Sequence, residues 1–534
     1  MDSRSGRQRN GMQAVKVRSI PLRSNIAVRL GKTTSACRII TMAGTLFLAP
    51  SPSVLSAQEP PAATAPLAPH SPVVTHHVGI FNEKSVRYTA TVATIDVADA
   101  KGKPSAQLVS FDYVTDGLRD VSKRPIMFVF NGGPITASLW LHIGVMGPKR
   151  VAVPENLAAE QTAYHLIDNA YSPLDSTDLV FVDPASTGYS RVLPGVSPAS
   201  YYSVAADGQQ VTAFISAWLE SHGRLASPVY LLGESYGTVR AAEVAAQLAE
   251  LPHPILLAGT VLLGQAVNII EYVQRPQNII SYAVSLPTLA AIGWYHQKVD
   301  RKGLTVAAFA NEAWQYAQTD YLHALFEGSD IQPAERDQVA KRLEELTGIS
   351  AAYYREHDLR ITKEQYRAEL LKDRGLLLGR ADARYVAPIT SKGLAEDPSS
   401  VVMEPFKNLF ADYVRNDLNV DWPDEYIPSA KLRGFEDWQW GGTLGGASPF
   451  SNWLYTDRLL KIMNANPHFR VFVGNGYYDT QTTVGAADYL ARDAGWPPGR
   501  TTLAFYEGGH MAYTVEASAK KFTDDIRTFI RSAR

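Results

Sequence analysis

Hydrophobic and polar positions follow different rhythms in different parts of the chain. Residues 87–97 alternate apolar and polar side chains, residues 106–114 do the same, and Lys101-Gly-Lys-Pro104 between them is turn chemistry. An antiparallel hairpin at the edge of a sheet gives that pattern, because successive strand residues point to opposite faces. Residues 126–130, 178–182 and 229–232 are instead unbroken, β-rich apolar runs, each ended by a turn containing Gly or Pro. Such runs mark strands covered on both faces. Helical periodicity separates them at 203–220 and 239–248. Strand and helix in alternation predict an α/β class with a mostly parallel central sheet and helices on both faces. From about 268 to 445 the strand signal fades, and helices are predicted over 305–324, 333–346 and 363–374. We read this stretch as a mostly helical cap insertion. Strands resume at 469–473 and 501–506, and a helix over 515–530 closes the chain. The expected divisions are a first core part at 73–267, the cap at 268–445 and a second core part at 446–534.

The first 57 residues are different in kind. They hold nine Lys or Arg and one acid, Asp2, followed by an apolar run at 39–49 and the small-residue stretch Val54-Leu55-Ser56-Ala57. Basic, then apolar, then small is the order of a secretory signal, and the apolar run is too short for a membrane anchor. We expect a signal at 1–57 cleaved near Ala57, a Pro- and Ala-rich leader at 58–72, and an exported protein, periplasmic or secreted. Without residues 1–57 the chain carries 42 basic against 52 acidic side chains, a net charge of −10, which is no nucleic-acid footprint. The single cysteine, Cys37, falls within the expected signal. Disulfides, a thiol nucleophile and thiolate metal sites are thereby excluded from the remainder, and a bacterial export route fits best.

The sharpest chemical signal is Gly233-Glu-Ser-Tyr-Gly237, a Gly-x-Ser-x-Gly pattern between an apolar strand and an Ala-rich helix. A tight strand-to-helix turn lifts a serine hydroxyl above the sheet edge, and the glycines stand where a Cβ would strike neighbouring backbone. Ser235 is therefore the expected nucleophile. Its base is expected to be His510, in a Gly-rich loop just past the last predicted strand. Asp479, reached from the strand at 469–473 through Gly474-Asn-Gly-Tyr-Tyr, is expected to hold that base. Asp488 and Asp493 are rivals set back in the next helix. The order Ser, Asp, His is that of α/β-hydrolases, which gives the expected fold. For the oxyanion hole we expect the backbone N–H groups of Gly133, in Asn131-Gly-Gly-Pro134, and of Tyr236, which follows the serine.

Taken together, these blocks resemble the serine carboxypeptidase family. The resemblance rests on Asn131-Gly-Gly-Pro134, residues 140–151, residues 182–190, Gly233-Glu-Ser-Tyr-Gly237, Gly476-Tyr-Tyr-Asp479 and Gly508-Gly-His-Met511, all in family order. The lack of cysteine and residues 378–385 look like a bacterial branch. The resemblance implies release of C-terminal residues from peptides through an acyl-enzyme, with no metal and no cofactor. It also implies that Asn131, Gly132 and Glu234 grip the substrate's terminal carboxylate, Glu234 in its protonated form. Two positions depart from the family pattern. Ile135 stands where the family continues with Gly, and Val145 stands where the family has a second Glu paired with the one beside the nucleophile. An esterase or acyltransferase using the same three residues is the alternative, and a non-catalytic binding protein is the third reading. His76-His77 would point to opposite faces of a strand and makes a poor chelating pair.

Overall fold

The computed structural model describes residues 70–532 except 254, 431, 433–436 and 442–454. The expected signal at 1–57 and most of the leader at 58–72 lie outside the described residues.

The main sheet is built from β1 (Val73–Phe81), β2 (Lys84–Ala98), β3 (Pro104–Thr115), β4 (Ile126–Phe130), β5 (Asp178–Asp183), β6 (Val229–Glu234), β7 (Leu257–Leu263), β8 (Arg470–Gly476) and β9 (Thr501–Tyr506). Their order across the sheet is β1-β2-β3-β5-β4-β6-β7-β8-β9. The first three strands and the β3–β5 pair are antiparallel. Every pair from β5–β4 to β8–β9 is parallel. This is the α/β-hydrolase arrangement expected from the sequence. The expected hairpin is β2 and β3, with β1 added outside it as the edge strand. His76 and His77 lie on β1, one exposed and the other half-buried, as alternation requires.

The unbroken apolar runs have the double burial they imply. Met127, Val129, Tyr230, Leu232 and Phe472 face one core, closed by Phe522, Ile526 and Phe529 of the helix Glu516–Ser532. Phe128, Phe130, Leu231 and Val471 face the other, closed by Phe214 and Trp218 of Val204–Ser221 and by Val239 and Leu248 of Tyr236–Ala249. Neighbouring residues on one strand thus serve opposite cores.

The insertion has a core of its own, in which Leu289, Phe309, Leu343 and Tyr366 meet. The helix expected at 305–324 runs as Val306–Tyr316, then through one wider turn into Leu322–Glu327. That expected at 333–346 is Pro333–Thr347, stopped by Gly348 at φ 79°. That expected at 363–374 is shorter, Lys363–Glu369, started by a reciprocal cap between Thr362 and Gln365. The stretch read as one cap divides in two. Phe406 and Phe410 of the helix Met403–Asn416 pack into the main core beside Trp140 and Phe111, not into the cap's own core. Residues 427–430 then run along 135–137, where Ala137 donates to the Pro428 carbonyl at 2.9 Å and Ala430 to that of Ile135 at 3.0 Å.

Candidate active site

Parallel strands deliver their carboxyl ends to one side of a sheet, and the loops beyond those ends gather there. Phe130 pairs with Gly233, so the turns after β4 and β6 lie side by side. Ser235 occupies the β6 turn with φ 59° and ψ −129°, a conformation that L-residues rarely adopt and that costs roughly 1–3 kcal/mol. The flanking glycines explain how the turn fits. A Cβ on Gly233 would sit 2.0 Å from the Gly237 carbonyl oxygen, and one on Gly132 would sit 2.6 Å from the Tyr236 nitrogen. The helix Tyr236–Ala249 starts at the residue after the serine, and its first N–H groups have no carbonyl within the helix. Gly133, at φ 107°, lines the same space.

Behind this turn stands a buried ion pair. Arg240 is fully buried, donates through Nε to Asp207 Oδ2 at 2.7 Å, and reaches with Nη1 to the Asn131 carbonyl at 2.6 Å. The Tyr236 hydroxyl donates to the same Asp207 oxygen at 2.9 Å. The loop after β4 is thereby tied to the helix that follows Ser235. Sequence reasoning missed this pair, because one arginine in an Ala-rich helix carries no signal.

His510 and Asp479 come from the loops after β9 and β8. Asp479 Oδ2 accepts from His510 Nδ1 at 2.7 Å and from the Thr482 hydroxyl at 2.5 Å. Its Oδ1 accepts from the backbone N–H groups of Gln481 and Thr482 at 2.7 and 3.1 Å. With Nδ1 engaged, Nε2 is left as the nitrogen able to exchange a proton. Gly264 makes room for the ring: a Cβ there would stand 3.0 Å from His510 Cε1. The preceding residue, Leu263, accepts the Ser235 N–H at 2.9 Å, so the imidazole lies beside the strand end that holds the serine. The rivals serve elsewhere: Asp488 accepts from Trp314 Nε1 at 3.0 Å and pairs with Arg492, in the helix Val484–Asp493 that also carries Asp493.

Residues 378–385 clamp both of those loops. The His510 N–H donates to the Ala381 carbonyl at 2.6 Å, Ala383 donates to Tyr478 at 2.9 Å, and the Thr480 hydroxyl donates to Arg380 at 2.7 Å. The Gly509 N–H donates to Asp382 Oδ2 at 3.1 Å, and Arg384 neutralises that carboxylate at 2.5 Å. Sequence reasoning singled out this segment only as part of a resemblance. Its contact with the histidine loop had no local signature.

A cavity of about 320 Å³ joins these parts. Asn131, Gly132, Gly133, Glu234, Ser235 and His510 line one side of it. The cap side brings Tyr385, Val402 and Met403. Glu234 is buried; its Oε2 accepts from the Asn131 side-chain amide and from the Tyr513 hydroxyl at 3.2 Å, while Oε1 has no partner. Burial pushes the Glu234 carboxyl up to about 7, against the opposing pull of His510, Tyr513 and Asn131. Burial acts to lower His510, but the Asp479 charge and hydrogen bond outweigh it and raise the imidazole to about 9.

The model of the serine carboxypeptidase family matches residues 104–282. Over that stretch the chain is similar to this family. The chain is a serine hydrolase. Among curated proteins no match was found. Similar solved structures include Kex1(Δ)p, a prohormone-processing carboxypeptidase from Saccharomyces cerevisiae, at 13% identity over 82% of this chain and 91% of that one, with a TM-score of 0.49. A proline iminopeptidase from Mycobacterium smegmatis gives 15% identity over 83% and 98%, with a TM-score of 0.34.

The two departures from the carboxypeptidase pattern now have structural counterparts. Ile135 sits at φ 57°, a conformation natural to glycine and strained for a β-branched residue. Its side chain is buried in the core and its carbonyl is held by Ala430, so residues 427–430 brace the turn. Val145 is buried and supplies no carboxyl. The neighbouring Gly144 lies against the Tyr513 ring, where a Cβ would come within 2.4 Å. Tyr513, from the histidine loop, packs against Gly144 and bonds Glu234.

Proposed function

We propose that this chain is a serine-type carboxypeptidase that releases C-terminal residues from peptides through an acyl-enzyme. Ser235 Oγ attacks the scissile carbonyl while His510 Nε2 takes its proton, and Asp479 holds the ring and stabilises the imidazolium. The N–H groups of Gly133 and Tyr236 receive the developing oxyanion. His510 then gives the proton to the leaving amine, and water repeats the sequence on the ester. The observation that carries the reading is Glu234: a buried carboxyl beside the nucleophile, in the cavity wall, with one oxygen unpartnered. In its protonated form that oxygen donates to a substrate carboxylate, and the Asn131 amide stands next to it. An ester without a terminal carboxylate makes no use of such a group. Val145 favours a second reading, an esterase or acyltransferase, since it leaves Glu234 without a second acid.

A timed digest of a peptide mixture, followed by mass spectrometry at several pH values, tests the proposal. Ladders of free C-terminal residues are expected from the unmodified protein, none from Ser235→Ala, and none from peptides whose C-terminus is amidated. Equal cleavage of amidated and free peptides, or turnover of small esters alone, would refute it. The basic, apolar and small-residue succession over 1–57 supports export, and an N-terminus near residue 58 in the purified periplasmic or secreted protein is the expected result.

A further inference from the structure

Two side chains donate hydrogen bonds to the Glu234 carboxyl, and only Asn131 was among the residues singled out from the sequence. The Asn131 amide and the Tyr513 hydroxyl both donate to Oε2, which leaves Oε1 buried and without a partner in a residue that lines the cavity. Tyr513 reaches this point because residue 144 has no side chain. Its ring is buried, and Glu234 is the only acceptor its hydroxyl has among the described residues. The other charged or titratable groups around Glu234 are His510 on the same loop, Asp479 beyond β8, and Asp382 and Asp397 on the cap side of the cavity. Asp382 is neutralised by Arg384. Asp397 accepts the N–H groups of Arg380 and Ser399 at 2.7 and 3.0 Å, and of Ala381 at 3.2 Å. Tyr513 is thus the neutral O–H donor closest to the question of whether Glu234 keeps its proton.

We propose that Tyr513 is a positioning residue for peptide cleavage: its hydroxyl fixes Glu234 with Oε1 free for the substrate's terminal carboxylate, and it sets how firmly Glu234 holds the proton that this grip needs. This deepens the carboxypeptidase reading and rests on it. An O–H donor to a carboxyl favours the ionised form, which cannot donate to a carboxylate. Removing the donor lets Glu234 stay protonated to higher pH. The phenol therefore trades proton affinity at Glu234 for a fixed geometry.

The experiment compares kcat/KM against pH for two substrates of the full chain: an N-blocked dipeptide with a free C-terminal carboxylate, and an N-blocked amino-acid ester with none. In the unmodified protein the dipeptide curve is expected to fall on its alkaline side where the ester curve does not. Tyr513→Phe, which keeps the ring, is expected to move the acid-side rise of the dipeptide curve up by about one pH unit, toward that fall, and to leave the ester curve in place. Gly144→Ala, whose Cβ meets the ring of Tyr513, is expected to move that rise in the same direction without altering Tyr513 itself. Glu234→Gln, which cannot ionise, is expected to abolish the separate alkaline fall. Coincident dipeptide and ester flanks in the unmodified protein would overturn the role of Glu234 and the carboxypeptidase reading with it. Separate flanks with an acid-side rise that neither Tyr513→Phe nor Gly144→Ala displaces would overturn the role of Tyr513 alone.

Discussion

Replacing Asp479 by Asn puts the proposed chemistry under the strongest test, because the hydrogen bonds dictate how the new side chain must sit. Oδ1 of residue 479 is fixed by two backbone donors, the N–H groups of Gln481 and Thr482. An Asn therefore keeps its carbonyl oxygen there and turns its NH₂ toward His510 Nδ1. The imidazole must then accept at Nδ1 and carry its proton on Nε2, the wrong tautomer for taking a proton from Ser235. The lost charge acts as well. Asp479 is the main cause of the rise of His510 from 6.5 to about 9. At ~1.4 kcal/mol per pH unit that rise is roughly 3 kcal/mol of imidazolium stabilisation, about 300-fold in rate. Burial works against that rise, and the charges of Glu234 and Asp397 add to it. With the tautomer effect added, kcat/KM for an ester substrate is expected to fall by roughly 10³–10⁴. Fluorophosphonate labelling of Ser235 should slow in parallel, and the thermal midpoint should change little because the Asn fills the same space. A loss under tenfold in a folded Asp479→Asn protein would refute the assignment of His510 and Asp479.

Other outcomes follow from the buried charges. Arg240→Met strands Asp207 without its cation and is expected to destabilise the fold by about 3–5 kcal/mol in denaturant titrations. Adding Asp207→Asn should recover part of that loss, and equal stability of the single and double variants would count against the pairing. His142 is fully buried against Phe181 and bonded to the Tyr113 hydroxyl at 2.7 Å, and burial lowers its imidazole to about 3. Unfolding lets it take a proton below pH 6.5, so its contribution is present above that pH and is lost as the pH falls toward 3, at up to ~1.4 kcal/mol per pH unit. His142→Phe should flatten the fall in stability between pH 6 and 4, and unchanged slopes would show that the group does not titrate on unfolding.

How much of this could be read in advance depended on the range of the interactions. The strands at 126–130, 178–183 and 229–234 announced themselves because burial on both faces demands an unbroken apolar run, and their bounds match the sequence reading almost residue for residue. β7 was not singled out: it opens on Leu257-Ala-Gly, and Gly259 is small because the Phe529 ring lies 2.8 Å from where its Cβ would be. β1 alternates exposed with half-buried positions and offered only a faint pattern. At the site, Ser235, Asp479 and His510 each sit at a strand end with its own turn chemistry, which is why the sequence singles them out. Glu234 came with the serine. The remainder consists of contacts between distant segments: Arg240 on the Asn131 carbonyl, Asp382 under Gly509, Tyr513 on Glu234. No spacing along the chain encodes them. Tyr513 lies three residues after His510, inside a stretch whose chemistry had already been assigned to the histidine.

The two raised groups act on one another, and the consequence reaches the working pH. The proposed peptide cleavage needs a proton on Glu234 and none on His510 Nε2. In the resting site the preferences run the other way, since Glu234 sits near 7 and His510 near 9. Between those values the pair holds one proton, chiefly on the imidazole. The productive arrangement, with the proton on Glu234, has the same number of protons and is the minority form. A terminal carboxylate arriving beside Glu234 changes that balance. Its negative charge favours the protonated carboxyl, and neutralising Glu234 removes one of the charges that hold the imidazole protonated. On the proposed mechanism, substrate binding is therefore expected to draw the proton from His510 to Glu234 and to ready the grip and the base together. Dipeptide turnover is expected to peak between about pH 7 and 9 and to fall on both sides. Ester turnover, which needs only the neutral imidazole, is expected to rise through about 9 and level off. A dipeptide optimum in the acid range would show that His510 loses its proton well below the value its pairing with Asp479 implies, and that the shared proton plays no part.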